Sequence, residues 1–163
     1  MSLLSVGSKA PSITLKSKSA SGLADVSLTR NVGIGATVVL FVPLAFTGVC
    51  TEELCSVSQG INDYKNLGAD VIAVSVDSPF AQEAWAAKDK ISVTLASDFN
   101  KEASRAFGVL NANFVPGALG LVGVADRSAF VIGRDGLVKF AWTSGDPNVL
   151  PPFDKIREVL KTA

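Results

Sequence analysis

The hydrophobic positions of this chain follow two patterns, unbroken β-branched runs and three- or four-residue spacings, separated by Gly, Pro and Ser. Thr37 to Val42 (TVVLFV) and Asp70 to Val76 (DVIAVSV) are runs of the first kind, which is how strands buried on both faces of a largely parallel sheet read. The first is expected to be the central strand. From Cys50 to Leu67 the apolar residues Leu54, Val57, Ile61, Tyr64 and Leu67 keep a helical spacing, which predicts one amphipathic helix ended by Gly68. Ser78-Pro79 opens a second helix whose inward face would carry Phe80, Ala84, Trp85 and Ala87. Strand, helix and strand make a βαβ unit with a right-handed crossover.

The flanking segments read more simply. Ile13 to Leu15 and Val26 to Leu28 are short strands around a Ser-rich turn, Lys16 to Gly22, and predict an N-terminal hairpin. Thr94 to Ala96 is a strand, and Lys101 to Phe107 a short helix closed by Gly108. Ser128 to Ile132 and Leu137 to Trp142 flank Gly133-Arg134-Asp135-Gly136, the Asp-Gly signal of an antiparallel hairpin, and Pro151 to Lys161 is a closing helix. The order is βαβ, α, then ββα, without repeats or low-complexity linkers. It predicts an α/β protein with a single domain over 1–163, a mixed sheet flanked by helices that resembles a thioredoxin-like sandwich.

Composition narrows the possibilities. A 163-residue chain with 48% hydrophobic and 18% charged residues folds rather than staying disordered. Fifteen basic and fifteen acidic residues cancel, so no net field gathers nucleic acid or an anionic membrane, and neither is expected as a partner. There is no histidine, which excludes Ser-His-Asp and Cys-His nucleophile pairs and HExxH metal sites. The apolar stretches Val38 to Phe46 and Phe114 to Ala125 fall short of the roughly 18 to 20 residues of a membrane span. The N-terminus lacks the pattern of a secretory signal, so the expected location is the cytoplasm. Cys50 and Cys55 would close too short a loop for a stabilising disulfide. Asp77, Asp98 and Glu102 lack metal-ligand spacing, and Gly33-x-Gly35 precedes a strand rather than following one, so neither a metal nor a dinucleotide is expected.

Any chemistry belongs where the strand Thr37 to Val42 gives way to the helix, because ligands gather at the carboxyl ends of strands and helix N-termini attract negative charge. Cys50 lies at that junction. Without histidine, activation of its thiol falls to the helix N-terminus and a nearby cation. Thr47, three residues earlier, places a hydroxyl beside the sulfur, and Pro43 ends the strand and shields the loop from water. Taken alone, Cys50 reads equally as a small buried hydrophobe and Thr47 as a helix cap.

Pro43-Leu44-Ala45-Phe46-Thr47-Gly48-Val49-Cys50 fits PxxxTxxC, the active-site motif of the peroxiredoxins, which this chain resembles over nearly its whole length. The likeness runs from Gly7-Ser8-Lys9-Ala10-Pro11, through Ser75-Val76-Asp77-Ser78, to Arg127-Ser128-Ala129-Phe130-Val131-Ile132. It implies a thiol peroxidase acting on hydrogen peroxide and organic hydroperoxides without metal or organic cofactor. Cys50 would be the peroxidatic cysteine, Thr47 and Pro43 the motif partners, and Arg127 the arginine that holds thiolate and peroxide. Glu53, in the first turns of the helix, is a secondary candidate that serves equally as a helix-end carboxylate, and Arg127 beside Asp126 would otherwise be a solvated surface pair.

Cys55 divides the subtype. Its spacing matches the bacterioferritin comigratory, or Q-type, peroxiredoxins, in which a resolving cysteine five residues on forms an intrasubunit disulfide. Pro43-Leu44-Ala45-Phe46-Thr47-Gly48 followed by Glu53-Leu54, and the Arg127 strand, look closer to the alkyl hydroperoxide reductase E group, in which one cysteine often works alone. Five residues of helix separate the two Cα atoms by about 8.5 Å, and disulfides rarely span more than about 7 Å. Pairing therefore requires the first turns to unwind. The resemblance implies thioredoxin or a similar thiol as reductant. The apolar segment Val109 to Ala125 is expected either to form part of a homodimer interface or to fold back over its own core. Two other classes stand beside this reading: a thioredoxin-like disulfide oxidoreductase, which would want Cys-x-x-Cys, and a binding protein with an inert thiol.

Overall fold

The computed structural model describes residues 2–114 and 120–163. The two apolar runs are neighbouring parallel strands, β3 (Thr37–Phe41) and β4 (Asp70–Ser75), in register from Thr37 opposite Asp70 to Phe41 opposite Val74. The N-terminal hairpin is β1 (Thr14–Ser19) and β2 (Gly22–Ser27), and β5 (Thr94–Ser97) lies between β1 and β4. β8 (Ser128–Ile132) pairs antiparallel with the other side of β3, and β9 (Val138–Thr143) forms the edge. Among the described residues this gives a seven-stranded mixed sheet in the order β2-β1-β5-β4-β3-β8-β9. β4, rather than β3, is the middle strand; β3 sits where the parallel half of the sheet meets the antiparallel half.

Alternation along β3 divides the interior into two layers. Val38, Leu40 and Val42 face a core filled by α1 (Gly48–Gln59), α2 (Ile61–Asn66), α3 (Pro79–Asp89) and α5 (Phe153–Leu160), which contribute Leu54, Val57, Tyr64, Trp85, Ile156 and Leu160. Val39 and Phe41 face the second core, where Phe41, Phe107 and Phe130 pack ring against ring beside Ala103 of α4 (Glu102–Ala106). The fold is the thioredoxin-like mixed sheet with an N-terminal hairpin that the element order predicts.

Several local expectations need correction. The helix expected from Cys50 to Leu67 is two helices broken at Gly60, whose φ of −93° and ψ of 15° leave the α region. The apolar spacing crosses the break unchanged, so the pattern does not reveal it. In α3, Phe80 is 59% exposed and Ala84 and Ala87 are exposed, while Gln82 and Trp85 point inward. Ser78 sets this phase by accepting the Ala81 N–H, and Gln82 tolerates burial because its amide donates to Ser75 Oγ and the Ala96 carbonyl. The hairpin strands extend through the polar residues Lys16 to Ser19 and leave only Ala20 and Ser21 as the turn. Between α4 and β8, β6 (Leu110–Asn111) pairs with β7 (Val124–Ala125), burying Val109, Phe114, Val124 and Ala125 in the chain's own core. Pro116 and its neighbours within 115–119 lie outside the described residues.

Candidate active site

β3 delivers the site. Its last sheet hydrogen bond is Val42 N–H to the Val74 carbonyl at 2.9 Å, and the buried Pro43 follows at once, having no N–H to continue the ladder. The loop then turns through Phe46, whose φ of 63° is left-handed, into Thr47, an extended N-terminal cap of α1. The Phe46 ring is half exposed, 6.3 Å from the Trp85 ring and under the Lys88 ammonium. Trp85 in turn donates its indole N–H to Thr51 Oγ1 on α1 at 3.0 Å.

Cys50 sits in the first turn of α1 with 1% of its surface exposed. Arg127, immediately before β8, reaches it across the bottom of the site: Nη2 donates to Cys50 Sγ at 3.3 Å. The same guanidinium is ion-paired through Nη1 to Glu53 Oε2, and Nε donates to the Pro147 carbonyl at 3.0 Å. Cys50 and Glu53 meet one cation because residues three apart share a helix face. Arg127 is therefore no solvated surface residue. Burial works against its charge, but Cys50 and Glu53 beside it more than offset that and hold its pKa above the usual arginine value. Glu53 is wholly buried, and desolvation pushes its carboxyl up to about 7 against the opposing pull of Arg127. Its Oε1 is a buried acceptor with no hydrogen-bond partner among the described residues.

Thr47 departs from its expected posture. Its hydroxyl donates to the Leu44 carbonyl at 2.7 Å and makes no capping bond to α1. The side-chain cap reading therefore fails, and the hydroxyl proton is already committed. What Thr47 offers an incoming group is an oxygen lone pair, and the first-turn N–H groups of α1 stay free of it. Cys55 lies on the same unbroken helix, but its thiol donates to the Asp89 carbonyl at 3.4 Å. It opens into a separate cleft of about 290 Å³ shared with Ser58, Gln59, Lys90 and Ser92. Both thiols are free. Among the sequence candidates, then, Cys50, Arg127 and Glu53 are joined directly, Pro43 and Thr47 frame the loop above them, and Cys55 stands apart.

Two partners escape sequence reasoning. Pro147 acts through its backbone carbonyl, and Asp77 accepts the backbone N–H of Ala45 in the site loop at 2.8 Å. Main-chain partners leave no residue spacing to read; for Asp77 the signals are its place just past a strand's carboxyl end and in the Ser75–Ser78 stretch of the family likeness, neither of which gives it a role.

A sulfur under a fixed cation, in the first turn of a helix that follows a thioredoxin-like strand, is the arrangement of a thiol peroxidase. The chain belongs to the AhpC/TSA family, whose model matches residues 6–141, and the peroxiredoxin resemblance holds. It is 32% identical over 141 residues to alkyl hydroperoxide reductase E of Mycobacterium tuberculosis, covering 85% of each chain. It is 34% identical over 131 residues to the mitochondrial thioredoxin-dependent peroxide reductase of Mus musculus, covering 76% of this chain and 46% of that one. Among solved structures it resembles Mycobacterium tuberculosis AhpC, with a TM-score of 0.81 at 27% identity over 98% of this chain and 92% of that one. The protein is a peroxiredoxin-type peroxidase.

Proposed function

We propose that Cys50 is the peroxidatic residue and that the protein reduces hydrogen peroxide and organic hydroperoxides. The observation that carries this assignment is the contact between the Arg127 guanidinium and Cys50 Sγ. The sulfur attacks one peroxide oxygen in line with the O–O bond. That bond breaks, the sulfur becomes a sulfenic acid, and the departing oxygen leaves as water or alcohol after taking a proton. Arg127 stabilises the charge that moves from sulfur to the leaving oxygen, Thr47 accepts the hydrogen of the bound peroxide, and Pro43 keeps water off the loop. The step uses no metal or organic cofactor.

Cys55 then attacks the sulfenic sulfur, forming an intrasubunit disulfide and releasing water, and thioredoxin or a similar thiol donor restores both thiols. Because the two sulfurs sit in separate environments on one continuous helix, this requires α1 to open. The names of the relatives support both the peroxide substrate and the thioredoxin-type reductant. We further place the enzyme in the cytoplasm as a homodimer.

The test is intact mass after one equivalent of hydrogen peroxide, quenched within seconds by a thiol-blocking reagent, on wild type and Cys55→Ser. Loss of both thiols in wild type, with a sulfenic acid trapped in the variant, is the expected result. Loss of Cys50 alone in both proteins would assign a one-cysteine cycle with an external thiol in the role of Cys55. Two unreacted thiols would overturn the peroxidatic assignment.

A further inference from the structure

The loop that carries Thr47 is held from outside the site. Within the loop the Thr47 hydroxyl donates to the Leu44 carbonyl at 2.7 Å; from beyond the loop, among the described residues, one side chain bonds its backbone between Pro43 and Thr47, Asp77, whose Oδ2 accepts the Ala45 N–H at 2.8 Å. Asp77 follows β4, is half-buried, and has one carboxylate oxygen held by the protein. The same Oδ2 accepts from Ser75 Oγ at 2.8 Å, and Ser75 Oγ accepts from Gln82 Nε2 at 2.9 Å. Gln82 is anchored in turn to the Ala96 carbonyl at 3.0 Å, and Ser97 Oγ donates to the Asp77 carbonyl at 2.6 Å. Ser75, Gln82 and Ser97 are all buried. Three elements, β4, α3 and β5, thus brace Asp77, and the oxygen that Ser75 holds is the one that accepts from the active-site loop.

The grip falls where the loop is least comfortable. Ala45 immediately precedes Phe46, whose left-handed φ of 63° is sparsely populated for a residue with a β-carbon and persists only where its surroundings impose it. Asp77 fixes the chain on one side of Phe46, and the contacts of its ring with Trp85 and Lys88 fix the other. Thr47 is the next residue. Released at Ala45, the backbone relaxes through Phe46 and carries the Thr47 oxygen away from the sulfur.

We propose that Asp77 is a positioning residue for the peroxidase reaction, holding the Ala45 N–H so that Thr47 lies in line with Cys50 and the bound peroxide. The proposal rests on the assignment of Cys50 and Thr47 made above. It requires hydrogen-bond acceptance at position 77, not charge, so Asn serves where Ala does not.

The test measures the rate of Cys50 oxidation by hydrogen peroxide, and separately the rate of its alkylation by iodoacetamide, in wild type, Asp77→Ala and Asp77→Asn, with a thermal melt of each. Alkylation needs the sulfur but no oriented peroxide. Misplacement of a reacting group by about 1 Å costs about a hundredfold, so Asp77→Ala is expected to oxidise roughly 10- to 100-fold more slowly. Its alkylation should stay within about threefold of wild type, and Asp77→Asn should recover oxidation to within about threefold, both too small for a displacement of that size. Wild-type oxidation rates in Asp77→Ala, an equal slowing of both reactions, or an Asn variant as slow as Ala would each overturn the proposal. If Asp77→Ala does not fold, Ser75→Ala, which removes the hydroxyl bracing Oδ2, must slow oxidation selectively in its place. A wild-type thiol that alkylates but does not oxidise would instead remove the peroxidatic assignment itself.

Discussion

At the scale of single residues, the site depends on how one guanidinium is divided. Arg127 directs separate nitrogens at Cys50, Glu53 and the Pro147 carbonyl, a geometry that a lysine ammonium cannot reproduce. Arg127→Lys should therefore keep the charge yet slow peroxide reduction by about 10²- to 10³-fold, the usual loss on removing one oriented donor, as read by stopped-flow oxidation of Cys50. Glu53 gives a second prediction. Its folded pKa of about 7 lies above the 4.5 of an unperturbed glutamate, so the folded protein retains a proton that the unfolded chain releases. The associated stability is fully present below about pH 4.5, declines as pH rises, and is lost above about pH 7, a swing of about 3 kcal/mol. Urea midpoints at pH 5 and pH 8 should differ in wild type by more than in Glu53→Gln. Equal differences would mean that the carboxyl does not titrate in that window.

At the scale of elements, α1 is both the cradle of Cys50 and the obstacle to its pairing with Cys55. Oxidation to the disulfide should lower amide protection across residues 47–58 relative to the reduced protein. Equal hydrogen-exchange protection in the two states would refute unwinding. The entry to β3 is built more rigidly. A β-carbon on Gly35 would lie 2.2 Å from the Gly68 carbonyl oxygen, backbone that cannot swing aside. Gly35→Ala should lose about 1 to 3 kcal/mol in a denaturant melt. The elements show where sequence reading succeeds. Strands buried on both faces, such as Thr37–Phe41, and the contiguous stretch from Pro43 to Cys50 are legible because every determinant is local. The break at Gly60 is not, because Val57, Ile61 and Tyr64 keep their spacing across it. Nor is the true inward face of α3, since burial of Gln82 depends on partners in β4 and β5. Arg127 became visible only through family likeness, and Asp77 acts on a main-chain amide.

At the scale of the whole molecule, the described ends of the apolar segment 109–125 take one of the two courses the sequence allowed for. Its ends fold back onto the chain's own core, while Val122 remains 72% exposed. If this surface joins two copies, sedimentation velocity should show a dimer that Val122→Asp shifts towards monomer, while a monomeric wild type at high concentration would count against the homodimer. The two-layer interior has a further consequence, for the timing of the cycle. If α1 opens to pair Cys50 with Cys55, the layer it packs in is that of Leu54, Tyr64 and Trp85, whereas Phe41, Phe107 and Phe130 lie across the sheet from it. Each turnover would then start from a protein that is still mostly folded, since rewinding a helix of 12 residues takes on the order of a microsecond. On that cycle the protein would not have to find its fold again, and the pace of regeneration would be set by thiol chemistry and by encounter with the reductant.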